Sequence, residues 1–279
     1  MAYKTILLHV DDSRNASARI ALATQLALRE EAHLIGAAWI GSSPYVVESM
    51  MAGMDTPLIA GYLDELRQRA QEQLKRFEQA ARDAGLASFS TRPVMNEPAG
   101  GLSAAARYAD LCILSQYDRD NASPSDSPDL PEHVVMRSGA PVLVVPAGWA
   151  ASPFGQHLLV AWNDSAEAWR AIHFALPLMK RAQAVDLVTL YKGELPAAPE
   201  ERPGVRMAAL LERHGIKTEL IEKPAEGETG TALVALARQR GVDGIVMGCY
   251  GHSRVREVVL GGVTRRLLQD MHVPVLMAH

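Results

Sequence analysis

Cysteine is scarce in this chain, with two among 279 residues, Cys112 and Cys249. So few make neither a disulfide scaffold nor a four-ligand zinc site. Aromatic residues amount to 5%, which argues against a stacking platform for single-stranded nucleic acid. No charge of one sign dominates: 28 Lys and Arg stand against 32 Asp and Glu, a formal net charge of −4. That leaves no general attraction for nucleic acid or an anionic membrane. No apolar run approaches the ~18 residues of a membrane span, and the N-terminus lacks the pattern of a secretory signal. The expectation is a cytoplasmic protein without nucleic-acid or membrane partners. Several catalytic strings are missing too: the phosphate-loop G-x-x-x-x-G-K-[ST], a compact G-x-G-x-x-G after a first strand, and a nucleophile elbow. What remains is an ordinary globular composition, 48% hydrophobic and 22% charged, long enough for two modest domains.

The chain repeats itself. Lys4–Ser13 (KTILLHVDDS) resembles His157–Ser165 (HLLVAWNDS), with Ser13 on Ser165 at an offset of 152. Later, Asp110 falls on Asp243 and Pro141-Val-Leu-Val-Val on Pro274-Val-Leu-Met-Ala, both at an offset of 133. The first copy therefore carries about 19 extra residues in its earlier part. In the second copy, Val/Leu/Ile-rich runs near 157–162, 184–191, 216–222, 244–248 and 273–278 read as buried strands. Helical spacing fills 165–181, 202–214, 229–240 and 262–271, with Ser165 as N-cap and Gly215 and Gly241 at C-termini. The first copy repeats the pattern, with strands near 4–10, 33–40, 88–95, 111–115 and 141–146 and a long helix near 61–84. Apolar strands alternating with helices predict an α/β fold: two tandem copies of a doubly wound domain with a five-stranded parallel sheet. The Pro- and Ala-rich junction at 147–155 separates domain 1–147 from domain 155–279. The link is short, so the copies are expected to pack as an intramolecular pseudo-dimer, with a further homodimer open.

The richest segment runs from Met247 to Thr264 and leaves a predicted strand for a predicted helix. Gly248, Gly251, Gly261 and Gly262 give the spacing G-x2-G-x9-G-G. In a parallel sheet, ligands bind beyond the carboxyl ends of the strands. Glycine there lets a backbone approach phosphate or ribose. The helix starting at Gly262, with Val263 and Thr264, aims free N–H groups and its positive end at the same place. Arg254 and Arg265 can add charge-assisted bonds, and His252 is a candidate for orienting a water near a terminal phosphate.

This segment resembles the nucleotide-binding motif of the universal stress protein family, G-x2-G-x9-G-(S/T), with Gly248, Gly251 and Gly261 on its glycines. Gly262 replaces the following Ser/Thr, a loss of one hydroxyl, and Thr264 falls on a further polar position. The resemblance extends over the whole chain as a tandem pair, through Val10–Ser13 (VDDS) and Trp162–Ser165 (WNDS). It implies a five-stranded parallel fold, ATP as ligand with or without Mg²⁺, and at most slow hydrolysis. It also places Ala161 and Asn163 beside the nucleotide at the end of the first strand, and the backbone of Leu190 against the adenine edge. Asn163 stands where the family commonly has Asp.

The first copy has lost the motif. Ser115, Asp118, Pro128, Asp129 and Pro131 occupy the positions of Gly248, Gly251, Gly261, Gly262 and Thr264. A triphosphate ~4 Å from a carboxylate is repelled by about 4 kcal/mol at an effective dielectric near 20, and proline offers no N–H. One working pocket, in the second copy, is the expectation. The acidic stretch 117–131 reads as a solvated loop rather than a cation site. The 41–60 insertion, with Met50, Met51 and Met54, reads as a cap over the vacated cleft. The competing reading is a module without nucleotide that uses these two segments for partners, and adenylyl transfer is a third. His9-x-Asp11 reads as a hydrogen-bonded pair rather than a metal site.

Overall fold

The computed structural model describes residues 2–39, 56–94, 98–121, 127–191, 193–225, 227–251 and 262–279. The chain divides into two compact units, Ala2–Val142 and Leu143–His279. In the first, β1 (Thr5–His9), α1 (Ala16–Glu30), β2 (His33–Trp39), α2 (Thr56–Asp83), β3 (Phe89–Val94), α3 (Pro98–Ala106), β4 (Leu111–Ser115) and α4 (Leu130–Ser138) follow in order. The division falls inside β5 (Val142–Val145). The second unit holds β6 (His157–Ala161), α5 (Ala166–Met179), β7 (Ala184–Tyr191), α6 (Pro203–Arg213), β8 (Glu219–Pro224), α7 (Thr229–Arg240), β9 (Gly244–Gly248), α8 (Gly262–Asp270) and β10 (Val275–Ala278). No helix among the described residues is long and apolar enough to cross a membrane.

Both sheets are parallel and share one winding. Strands of the first unit run β3-β2-β1-β4, and those of the second β10-β9-β6-β7-β8. Helices cover both faces: α1 packs beside α2, α3 beside α4, and α7 beside α8. Strands enclosed in this way have no polar face, so β4 reads LCILS and is buried throughout. The predicted α/β class and the strand positions hold, including 184–191, 111–115 and 244–248 to the residue.

The two aspartates that align the copies do the same structural work. Asp110 accepts the Lys4 and Thr5 N–H groups at 2.7 and 2.9 Å. Asp243 accepts those of Gly155, Gln156 and His157 at 3.0, 2.8 and 3.2 Å. Each carboxylate thus tethers the entry of a first strand to the start of a fourth. This lies at the amino edge of the sheet, opposite the ends that carry ligands. Nearby in the second unit, buried Asp186 is held by Arg240 at 2.8 Å and His157 at 3.0 Å. Burial pushes its carboxyl up, but the bonds from Arg240 and His157 outweigh it and hold it below the usual range.

Helix ends follow the local rules. Ser165 caps α5, its hydroxyl accepting the Ala168 N–H at 3.1 Å. Gly215 and Gly241 take left-handed conformations just past α6 and α7, as their positions predict.

Candidate functional site

The winding of the second unit decides where a ligand fits. From β6 the chain moves outward to β7 and β8, then returns to β9 on the other side of β6. That reversal opens a crevice beyond the carboxyl ends of β6 and β9, the switch point at which α/β sheets take ligands. Ala161 ends β6 and Gly248 ends β9, with Met247 buried just before it. Asn163 is exposed two residues past β6, its Oδ1 accepting the Ser165 hydroxyl at 2.7 Å. On the far side of β6, pairing with β7 stops at Ala161 and Val188, with one further bond from the Trp162 N–H to the Val188 carbonyl. Strand β7 continues to Tyr191, so the backbone of Leu190 projects past the end of its neighbour. Gly251 is exposed, and Gly262, Val263 and Thr264 form the first turn of α8. Thr264 is buried, while Arg265 is exposed and makes no ion pair among the described residues. His252, Arg254 and Gly261 lie outside the described residues, as do 40–55 of the Met-containing insertion and 122–126 of the acidic stretch.

The amino ends of helices converge on this edge. Gly230, in the first turn of α7, sits so close to α8 that an added Cβ would stand 2.9 Å from the Val263 carbonyl oxygen. Two first turns therefore lie side by side, and the start of α5 lies across the crevice, adding dipole ends of one sign. Two residues that are not glycine adopt left-handed backbone here, Asp164 (φ 59°) after β6 and Tyr250 (φ 59°) after β9. Such conformations persist where surrounding structure holds them, and they gather at binding sites.

The glycines turn out to do two different things. A Cβ at Gly248 would stand 2.5 Å from the Glu167 carbonyl carbon and nearer still to the Ala168 nitrogen. The seating of α5 on the end of β9 by itself requires glycine at 248. At Gly251 a Cβ would meet only the carboxylate tip of Glu167, at 2.6 Å from Oε2. Sequence reasoning passed over Glu167, which brings a negative charge to the crevice, paired with Arg170 at 3.1 Å. The signal was present: a carboxylate two residues past an N-cap serine favours the positive helix end.

The matching edge of the first unit is built from other chemistry. Arg19, with no exposure at all, pairs with the Asp11 carboxylate at 2.7 Å and donates to the His9 carbonyl at 3.2 Å and Asn15 Oδ1 at 3.2 Å. The Ser13 hydroxyl, counterpart of the capping Ser165, turns to Asp11 and Asn15 instead. Ser115, on the position of Gly248, hydrogen-bonds with Asn15 at 3.0 Å. Asp118, on the position of Gly251, is paired with Arg14 at 2.8 Å. Burial pushes the Asp11 carboxyl up, but the Arg19 guanidinium beside it prevails and holds it well below the usual range. No group of three His, Cys, Asp or Glu side chains comes together for a metal among the described residues. Cys249 is buried, its thiol donating to the Ala278 carbonyl at 3.3 Å, and burial pushes the Cys112 thiol up to about 12.

His9 gives the first unit a pH signature. Burial lowers its pKa from 6.5 to about 4, against an opposing pull from Asp11, 3.6 Å away. Between those values the unfolded chain binds a proton that the folded chain refuses, so stability falls as pH drops from 6.5 to 4. The full loss is on the order of 3 kcal/mol. The contribution of ionised Asp11 is intact in this window, because it is lost only below the ordinary carboxylate value of 3.8. Urea midpoints measured from pH 7 to pH 4 should show the slope, and a His9→Gln variant should flatten it.

Comparison with known proteins finds related sequences and folds. Residues 155–279 match the profile described as the universal stress protein family. A curated relative, the universal stress protein Slr1230 of Synechocystis sp., is 26% identical over 147 residues, which is 52% of this chain and 49% of that protein. The chain thus spans about half the length of that relative. Among solved structures, a universal stress protein from Archaeoglobus fulgidus covers 98% of this chain and 95% of its own, with 17% identity and a TM-score of 0.75. A candidate universal stress protein from Pseudomonas aeruginosa covers 99% of this chain and 93% of its own, with 16% identity and a TM-score of 0.63. At such identities these two establish the shared fold.

Proposed function

Since residues 155–279 match the universal stress protein family, we propose that this chain is a tandem two-domain member of it, an ATP-binding regulatory protein with one working pocket, in the domain 155–279, and a degenerate partner domain, 1–147. The observation that carries this reading is the contrast between two equivalent strand edges. In the second unit, Ala161, Asn163, Gly248, Gly251 and the first turn of α8 border a crevice with an exposed glycine. In the first, the same edge holds Ser115, Asp118 and the Asp11–Arg19 pair. The residues fit the ligand. Donors at the start of α8 and the charge of Arg265 suit phosphates. The projecting backbone of Leu190 suits an adenine edge, and the acceptors Asn163 and Glu167 suit ribose hydroxyls. With Glu167 facing Gly251, the phosphates belong on the α8 side, away from the carboxylate.

Hydrolysis is at most slow in this reading, because the sequence holds no phosphate-loop lysine. Binding then acts as a switch, favouring whichever arrangement has the higher affinity for ATP. The test is direct: denature the purified protein, identify released nucleotide by mass spectrometry, and titrate ATP by calorimetry. An empty protein that also fails to bind ATP overturns the reading. Gly251→Asp copies the first domain's own residue and sets a second carboxylate beside Glu167. Its expected effect is a loss of ATP affinity of at least ~100-fold, from repulsion of a few kcal/mol. The urea midpoint should stay unchanged, because only the flexible tip of Glu167 has to move.

A further inference from the structure

A feature left unused by that function lies in the other unit. A groove of about 440 Å³ runs between α1 and α2, within the ~300–1,000 Å³ of small-molecule sites. It follows α1 from Ala16 to Leu28, a length of ~18 Å at 1.5 Å per residue. Both helices return against the parallel strands, so residues early in each lie toward the carboxyl edge of the sheet and late ones toward the amino edge.

Polar and apolar groups both line the groove. Several polar side chains, including Thr24, Gln73 and Arg76, line it without partners among the described residues. Thr24 is 3% exposed, yet its hydroxyl has no hydrogen bond. Gln73 is 7% exposed, and its carboxamide makes none either. Arg76 is exposed and makes no ion pair. A hydroxyl, an amide and a guanidinium left unpaired around one space can all donate to a single anionic oxygen group. A buried polar group without a partner costs ~1–3 kcal/mol, which a ligand bonding to it would relieve. Toward its far end the groove is lined by Leu28, Ala80 and Ala84, with Leu28 43% exposed and Gln25 at their side. The carboxylate at the near end, Asp11, is already matched by Arg19 at 2.7 Å, so it does not repel an anion as a free charge would.

We propose that this groove binds a medium-chain fatty carboxylate, its head group held by Thr24, Gln73 and Arg76 and its chain laid against Leu28, Ala80 and Ala84. The head group needs donors and the chain needs an apolar wall beside them, and the groove supplies both. The site lies within the N-terminal unit and is independent of the proposed ATP pocket.

Calorimetric titration of the full-length protein with decanoate, at fixed pH and salt, tests this. Saturable one-to-one binding is expected, weakened at least ~10-fold by Arg76→Glu and several-fold by Thr24→Val. Ala80→Trp should abolish it by filling the far end. Thr24→Val, nearly equal in shape, should leave the urea midpoint of the ligand-free protein unchanged or raised, an outcome that a structural hydroxyl would not give. Decanol, which keeps the chain and lacks the charge, should bind more weakly than decanoate. Absence of saturable binding, wild-type affinity in Ala80→Trp, or equal affinity for decanol and decanoate would each overturn the proposal.

Discussion

Replacing Arg19 by Met is expected to destabilise the N-terminal unit by about 3–5 kcal/mol, the usual cost of stranding one partner of a buried ion pair. The guanidinium has no exposure, and neither does the Asp11 carboxylate it pairs with at 2.7 Å. Without Arg19, the charge on Asp11 faces Ser13 and a neutral His9, with almost no exposure to solvent. The carboxyl would then take up a proton, so the deficit should shrink at acid pH, the reverse of the His9 effect. Two compact units allow two unfolding transitions, and only the one belonging to Ala2–Val142 should move. Urea denaturation at pH 7 and pH 5 reads both effects. The double variant Asp11→Asn/Arg19→Met removes the stranded charge and should recover most of the loss. If the single variant unfolds at the wild-type midpoint, the pair does not have the buried geometry described.

The second large effect is expected from Gly248→Ala. The new methyl would overlap the backbone of Glu167 and Ala168, and backbone cannot rotate away as a side chain does. The first turn of α5 must shift outward, at a cost of ~1–3 kcal/mol for overpacking. That shift carries Ser165 and with it Asn163, since their side chains are bonded at 2.7 Å. ATP affinity should therefore fall ~100-fold or more, on the principle that a displacement of about 1 Å in a positioning element has this scale. Gly251→Ala is the control: it displaces only the tip of Glu167 and should change stability by less than ~0.5 kcal/mol. Equal behaviour of the two alanine variants in denaturation and calorimetry would refute the distinction between a packing glycine and a ligand-facing one.

That distinction marks the limit of what could be read from the letters. The repeat and the strand positions were legible, because each depends on local periodicity and on one alignment of the chain with itself. Asp110 and Asp243 aligned at a constant offset before either had a known partner, and both proved to tether a first strand. Glu167 escaped notice because its approach to Gly251 spans 84 positions of sequence and depends on how α5 seats on β9. The substitution of Ser115 for Gly248 was visible at once as a loss. Its counterpart was not: Asn15 reaches Ser115 across 100 positions.

The sequence alone determined the architecture and the asymmetry of the two copies, since glycine, proline and charge act on the backbone wherever they stand. Tertiary structure decided what the first copy holds in place of the motif. The lost motif predicted an empty or merely acidic cleft. Folding instead brings Arg19, one helical turn past Asn15, onto Asp11 where neither side chain has any exposure and an unpaired carboxylate could not stay charged. It also aligns Thr24 with Gln73 and Arg76 from a helix some fifty residues away. Neither arrangement has a sequence signature, because helix faces become neighbours only when the sheet beneath them sets their spacing.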